Sequence, residues 1–324
     1  MNKFLNELKN NPYVREKDLG NGVCSYNYSN KAFYEGVWNN VTEKARGFFV
    51  ESETEKVVAR SFDKFFAVGE RPETEMEELK KNMQFPVTMY RKENGFLGIC
   101  SYREGEPDNL FLASKSTNQG DYAGYFRDIF YDKLNSEMCQ NLAEMLHSMN
   151  CSAVFEVIDP YHDPHIVAYG HSDLVLLALI ENDYEYHPAS YSTLQKFAKI
   201  YNFKVKKQCG IAYSWDDFMA FYKHIKSLKG IEGVVFEDSA GFMLKLKTDW
   251  YKYWKRIRSV IHAVYKDDRT PEQIRQKYRL TVNDMALFNY LYVYVQDIED
   301  TKELDNIPLL RDCFLKDVLP VVER

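Results

Sequence analysis

The chain has 324 residues, with 42 basic against 48 acidic side chains, a net charge of −6 and a pI near 5.8. That length accommodates one large domain plus a smaller one. The charge excludes a protein that coats nucleic acid through its overall field, while a local basic groove stays open.

In chain order, Met1–Leu8 lacks the long apolar core of a signal peptide. Strands are predicted over 47–50, 57–61, 87–91, 96–102, 110–114, 153–158, 166–169, 233–237 and 242–247, where apolar, β-branched and aromatic residues lie between turn signals. Helical spacing predicts one helix over 125–149 and another over 192–201. The longest apolar run, Leu174–Ile180, is too short to span a bilayer. After Trp250 the pattern is helical only, with a helix over 252–265. A second is opened by Thr270-Pro271-Glu272-Gln273, which combines an N-cap, a proline at N1 and a capping box. A domain boundary is placed near Lys252. Cys24, Cys100, Cys139, Cys151, Cys209 and Cys313 form no C-x-x-C pair, so neither a zinc site nor a disulfide framework is indicated and a reducing compartment fits best. A cytoplasmic protein is expected, in host-cell cytoplasm if phage-encoded, with no membrane attachment and no obligate protein partner.

Several short stretches carry chemistry. Lys92-Glu93-Asn94-Gly95 reads either as an amine nucleophile beside a tight turn or as a solvated hairpin. A lysine near its ordinary value of about 10.4 is protonated at neutral pH, so nucleophilic use requires burial or neighbouring cations. Glu232-Gly233 sets a carboxylate at the mouth of an apolar strand, as a ligand group or as an ordinary turn acid. Lys245 and Lys247 alternate onto one strand face, where two cations suit a polyphosphate or protect a sheet edge. Arg46, Lys64 and Lys115 add cations suited to phosphate contact beside Phe65 and Phe66. Glu156 stands between apolar residues in a strand, a costly position without a partner.

Taken in order, Ser25-Tyr26-Asn27-Tyr28, Arg46-Gly47, Arg60 to Phe66, the Lys92 motif, Ser114-Lys115, Phe155-Glu156, Ile231-Glu232-Gly233 and Lys245-Leu246-Lys247 with Asp249-Trp250-Tyr251 resemble the T4 RNA ligase 1 family of covalent nucleotidyltransferases. The resemblance covers about Ser25 to Tyr251. It implies an α+β nucleotidyltransferase domain over 1–251, with ATP-grasp-like antiparallel sheets and flanking helices, followed by a small all-α domain over 252–324 that serves the RNA substrate. It implies ATP with magnesium or manganese, and RNA bearing 5′-phosphate and 3′-hydroxyl ends, joined in RNA repair through lysyl-AMP. Lys92, Lys245 and Lys247 are then catalytic. Tyr26, Arg46, Lys64, Phe66, Gly95, Lys115, Glu156 and Glu232 bind nucleotide, with Tyr26 or Phe66 against the base and Glu232 also helping to place the metal.

The chain departs from the family in Asn94, where the T4-type sequence has aspartate, and in Ser116, where glycine is frequent. Asparagine keeps one acceptor and loses the charge. Two other readings share some of these residues. A capping guanylyltransferase or DNA ligase uses the same lysine chemistry but usually adds a β-barrel, against which the helical tail speaks. A silent RNA-binding protein of the same fold would not need Lys92, Lys245 and Lys247 together. In the tail, Lys252, Lys255, Arg256 and Arg258 suit either a phosphate backbone or a solvated helix face, and Tyr290–Val295 reads as core or self-association surface.

Overall fold

The computed structural model describes residues 2–317 and has the α+β composition that the sequence predicts. Its strands are β1 (Val14–Asp18), β2 (Val23–Tyr28), β3 (Phe48–Glu51), β4 (Val57–Arg60), β5 (Phe66–Ala67), β6 (Val87–Lys92), β7 (Phe96–Tyr102), β8 (Leu110–Ser114), β9 (Cys151–Ile158), β10 (Asp173–Glu181), β11 (Lys204–Val205), β12 (Gln208–Ala212), β13 (Gly233–Glu237) and β14 (Met243–Lys247). The helices are α1 (Lys3–Asn10), α2 (Asn30–Glu35), α3 (Asn40–Lys44), α4 (Met76–Asn82), α5 (Asp121–Lys133), α6 (Ser136–Ser148), α7 (Tyr191–Tyr201), α8 (Trp215–Ser227), α9 (Asp249–Lys266), α10 (Pro271–Tyr278), α11 (Met285–Tyr294) and α12 (Ile307–Asp317). The chain divides into two units. One comprises Met1–Lys81, Gly95–Ile158 and Ser172–Cys209, and the other Asn82–Asn94, Asp159–His171 and Gly210–Arg324.

In the first unit, β1 to β4 form an antiparallel sheet in sequence order. Leu5 and Leu8 of α1 close its core against Tyr26, Phe48 and Val50. A second sheet runs β11-β10-β9-β7-β8. Its core joins Phe155 and Val157 of β9 to Phe126, Leu142 and Phe197 of α5, α6 and α7. Strand alternation then turns Glu156 to the opposite face.

The helix expected over 125–149 is two helices. Leu134 takes extended backbone and Asn135 caps α6 by accepting from the Met138 N–H, so apolar spacing that continues across the break concealed it. The strand β10 lacks period-two alternation because nearly all of it is buried, and such a run cannot be told from a buried helix by periodicity.

In the second unit, β13 pairs antiparallel with β6 on one side and β14 on the other. After it, α9 to α12 pack around Trp254, Ile257, Val260, Leu287, Leu291 and Leu310. The Thr270 capping box forms as its spacing predicts, the hydroxyl accepting from the Gln273 N–H and the Gln273 side chain accepting from the Thr270 N–H. In the 290–295 run, Leu291 and Val295 enter this core while Val293 is exposed. The expected strand over 166–169 does not form. Ile166 and Val167 are instead buried in the helical core, and their amides are taken by a side chain rather than by a neighbouring strand.

Candidate active site

The second unit assembles the lysines through strand register. Lys92 at the end of β6 and Lys247 at the end of β14 both pair with Gly233, which lies between them in β13. One row thus crosses three strands as lysine, glycine, lysine. Gly233 has φ +155°, and a Cβ there would lie 1.9 Å from the Leu246 carbonyl oxygen, so only glycine fits. Glu232, 3% exposed, precedes it and meets both cations: Lys92 Nζ is 3.1 Å from Oε2 and Lys247 Nζ 2.8 Å from Oε1. Burial opposes ionisation of Glu232, but Lys92 and Lys247 outweigh it and hold the carboxyl below its ordinary value. Lys245 shares the face of Lys247 one alternation earlier, opposite Val235.

Helix α9 continues directly from this row. Thr248 caps it, donating its N–H to the Glu232 carbonyl at 2.9 Å and its hydroxyl to the Ile231 carbonyl at 3.1 Å. One turn in, the Tyr251 ring lies 4.8 Å from Lys247 Nζ. A further turn on, burial and the nearby cations Lys247 and Arg258 lower the pKa of Lys255. The sequence alone places Lys255 in a general basic cluster with Lys252, Arg256 and Arg258. Its i,i+4 spacing from Tyr251 is the signal that could have set it apart.

Asn94 is buried, with both ends of its carboxamide engaged. Its Oδ1 accepts from the Ile166 and Val167 N–H groups, each at 3.2 Å, and its Nδ2 donates to the Tyr251 hydroxyl at 3.3 Å. Its backbone N–H donates to the Tyr169 hydroxyl, which in turn donates to Glu93. A carboxamide supplies both the acceptor and the donor that these partners require.

The first unit holds the remaining predicted residues. Gly95 donates its N–H to Glu156 Oε1 at 2.9 Å, and a Cβ on Gly95 would lie 2.0 Å from the Val157 carbonyl oxygen. Arg46 donates to Ser61 Oγ at 3.4 Å and to the Phe62 carbonyl at 3.3 Å. Lys64 is buried, with Nζ 3.6 Å from the Phe66 ring centroid and 4.9 Å from that of Trp38. Burial pushes its pKa down to about 8, with Glu70 opposing and Arg46 assisting. Lys115 lies 4.4 Å from the Tyr28 ring centroid, and Tyr28, Trp38 and Phe66 form a chain of edge contacts at 5.0 and 5.4 Å.

Tyr26 is placed elsewhere. It is 1% exposed in the α1 core, with its hydroxyl donated to Glu16, and Tyr28 instead is the tyrosine beside the cations. Phe66 is also buried and carries Lys64 and Arg71 at its ring. Sequence reasoning missed Trp38, which lies in no motif and is joined to Lys64 and Phe66 only by folding. For a metal, both Glu232 oxygens are engaged by lysines. Among the described residues no group of three or more His, Cys, Asp or Glu side chains is arranged to hold one.

This arrangement offers one amine and several fixed cations around a buried carboxylate, suited to transfer of a phosphoryl-type group more than to proton shuttling. RNA ligase 1 of bacteriophage TS2126 is 25% identical over 276 residues, covering 81% of this chain and 64% of that protein. The tRNA ligase 1 of Schizosaccharomyces pombe is 27% identical over 174 residues, 49% of this chain and 22% of that protein. This chain therefore spans less than two thirds of the length of either relative. Among solved structures, an archaeal ATP-dependent RNA ligase superposes with a TM-score of 0.57 at 14% identity, covering 99% of this chain and 77% of that one. An ATP-dependent DNA ligase from Aquifex aeolicus gives 0.54 at 15% identity, covering 98% and 78%. At such identities the likeness is one of fold, and it is the expected α+β nucleotidyltransferase fold. Among the described residues no helix is long and apolar enough to cross a membrane. With residues 44–251 matching the RNA ligase family model of the T4 ligase 1 type, the chain belongs to the RNA ligase family.

Proposed function

We propose that this protein is an ATP-dependent RNA ligase that joins an RNA 3′-hydroxyl to a 5′-phosphate through lysyl-AMP on Lys92. The observation that carries the reading is the row Lys92–Gly233–Lys247 closed over Glu232, two cations from separate strands meeting one buried carboxylate.

In the first step the unprotonated Lys92 amine attacks the ATP α-phosphorus. A P–N bond forms, the P–O bond to pyrophosphate breaks with its electron pair on the leaving group, and the nitrogen loses a proton to solvent. AMP then passes to the RNA 5′-phosphate, releasing the lysine. Attack by the 3′-hydroxyl seals the backbone and frees AMP.

Lys245 and Lys247 hold the α-phosphate, with Lys255 as an additional cation. Arg46, Lys64 and Lys115 face the outer phosphates, Glu156 the ribose, and Tyr28 or Phe66 the base. Because Glu232 is engaged by both lysines, magnesium or manganese would be held largely by the ATP phosphates, with Glu232 as the carboxylate that helps to place it, and when bound it would supply charge neutralisation. The helical segment 252–324 is proposed to orient the RNA, and the cytoplasm is the proposed location.

The test incubates the protein with α-labelled ATP or GTP plus magnesium and looks for label that survives denaturation. Label from ATP, lost in Lys92→Ala, is expected. Label from GTP alone would make it a guanylyltransferase, and none from either a silent member of the fold. Joining of RNA rather than DNA ends separates the two kinds of ligase.

A further inference from the structure

Arg311 of α12 lies outside residues 44–251, and the proposed mechanism does not use it. Its Nη1 donates to the Ile166 carbonyl at 3.1 Å. The other end of that same peptide group, the Val167 N–H, donates to Asn94 Oδ1 at 3.2 Å. A cation and a buried carboxamide thus hold opposite ends of one peptide plane. The Ile166 N–H, on the preceding peptide group, adds a second bond to the same oxygen.

From Asn94 the connection reaches the lysines by two routes. Along the backbone, Asn94 is two residues from Lys92. Through side chains, Asn94 Nδ2 donates to the Tyr251 hydroxyl, and the Tyr251 ring lies against Lys247, which shares Glu232 with Lys92. Hydrogen bonds in series polarise one another, and a charged donor at one end strengthens the set. Arg311 is itself fixed, its guanidinium 5.1 Å and 5.7 Å from the Trp250 and Trp254 ring centroids. Asn306 and Pro308 flank the same segment, lining a cavity of about 250 Å3 together with Asn94, Val167 and Tyr169.

We infer that Arg311 is a positioning residue for nucleotidyl transfer, by which the C-terminal helix α12 sets the place of Asn94 and, through it, the Lys92–Glu232–Lys247 cluster. This rests on the proposed lysyl-AMP chemistry. It gives the helical tail a part in the first, RNA-independent step. The segment 163–169 forms no helix or strand; Arg258 reaches the His165 side chain within it at 3.5 Å, and Arg311 donates to its backbone at the Ile166 carbonyl. A shift of about 1 Å at a reacting group is enough to cost roughly a hundredfold in rate.

The test compares wild type with Arg311→Met, which keeps the stem against the tryptophans and removes the donors, with Arg311→Lys and with Asn94→Ala. Two readouts are taken: amide hydrogen exchange at Ile166 and Val167 without nucleotide, and the single-turnover rate of Lys92 labelling from ATP. In Arg311→Met, exchange should quicken and labelling at saturating ATP should slow by about tenfold with little change in KM for ATP, Arg311→Lys recovering part of both. Combining Arg311→Met with Asn94→Ala should slow labelling no further than the slower single variant. Unchanged exchange or labelling in Arg311→Met, or multiplying effects in the double variant, would overturn the inference. A wild-type chain that takes no label fails the proposed function instead, and the exchange arm then still reports whether Arg311 orders the segment.

Discussion

Lys92 and Lys247, 155 positions apart in sequence, meet the two oxygens of one carboxylate at 3.1 and 2.8 Å. Neither lysine pairs with the other's strand; both reach Glu232 because β13 lies between them and presents a glycine at the crossing point. Two lysines and one carboxylate leave the cluster with a net positive charge, and the shared anion offsets the repulsion between the two ammonium groups.

Replacing Glu232 by glutamine keeps the shape and removes the charge. The two lysines then repel without a shared counter-ion, and Lys92 labelling should fall by about tenfold or more at saturating ATP. Single-turnover labelling on protein with a wild-type circular dichroism spectrum measures this. A wild-type rate would reduce Glu232 to a strand-end anchor.

Gly233→Ala tests the row itself. With a Cβ placed 1.9 Å from the Leu246 carbonyl oxygen, backbone must move and the β13–β14 register opens at Lys247. A loss of roughly a hundredfold in labelling is expected, together with a lowered melting temperature. Gly230→Ala, at positive φ but with open space around its Cβ, should melt lower yet label far better.

Lys64 sets a pH dependence. With its pKa near 8, it loses charge between pH 7 and 9, where an ordinary lysine stays protonated. If it holds phosphate, the KM for ATP rises as pH climbs through 8. For folding the sign is reversed: between about 8 and 10.4 the unfolded chain binds the proton more tightly, so the contribution of Lys64 to stability increases with pH in that window. Lys64→Arg stays charged throughout and should flatten the KM profile. Parallel profiles for the two proteins would remove Lys64 from phosphate binding.

Asn94 distinguishes an acceptor from a charge. Asn94→Ala leaves the Ile166 and Val167 amides without their partner, at roughly 1–3 kcal/mol for each buried donor, and should lower the melting temperature clearly. Asn94→Asp keeps an acceptor oxygen for both amides and needs only the Tyr251 hydroxyl to donate instead, so it should melt closer to wild type. Equal melting temperatures for the two variants would show that the side-chain oxygen does not support the segment.

Strand alternation and turn chemistry are local, which is why β7, β8 and β13 fall where the sequence places them and β6 and β14 within a residue. The ordered set of cations and carboxylates was legible for the same reason: each motif is a few residues long and its chemistry is carried by residue type. The sequence by itself therefore determined the α+β class, the helical tail and the candidate nucleophile. What it could not supply was which groups face one another. Tyr26 and Tyr28 occupy equivalent positions in strand alternation, and only packing sends Tyr26 into the α1 core and Tyr28 to Lys115. Ile166–Tyr169 has a strand's composition but finds a carboxamide where a strand would find a neighbour. The joining of Lys92 to Glu232 across the β6–β13 pairing, and of Arg311 to Asn94 across one peptide group, was decided by tertiary structure alone, because register and side-chain satisfaction there depend on partners more than seventy residues away, whereas Lys247 reaches Glu232 within the β13–β14 hairpin.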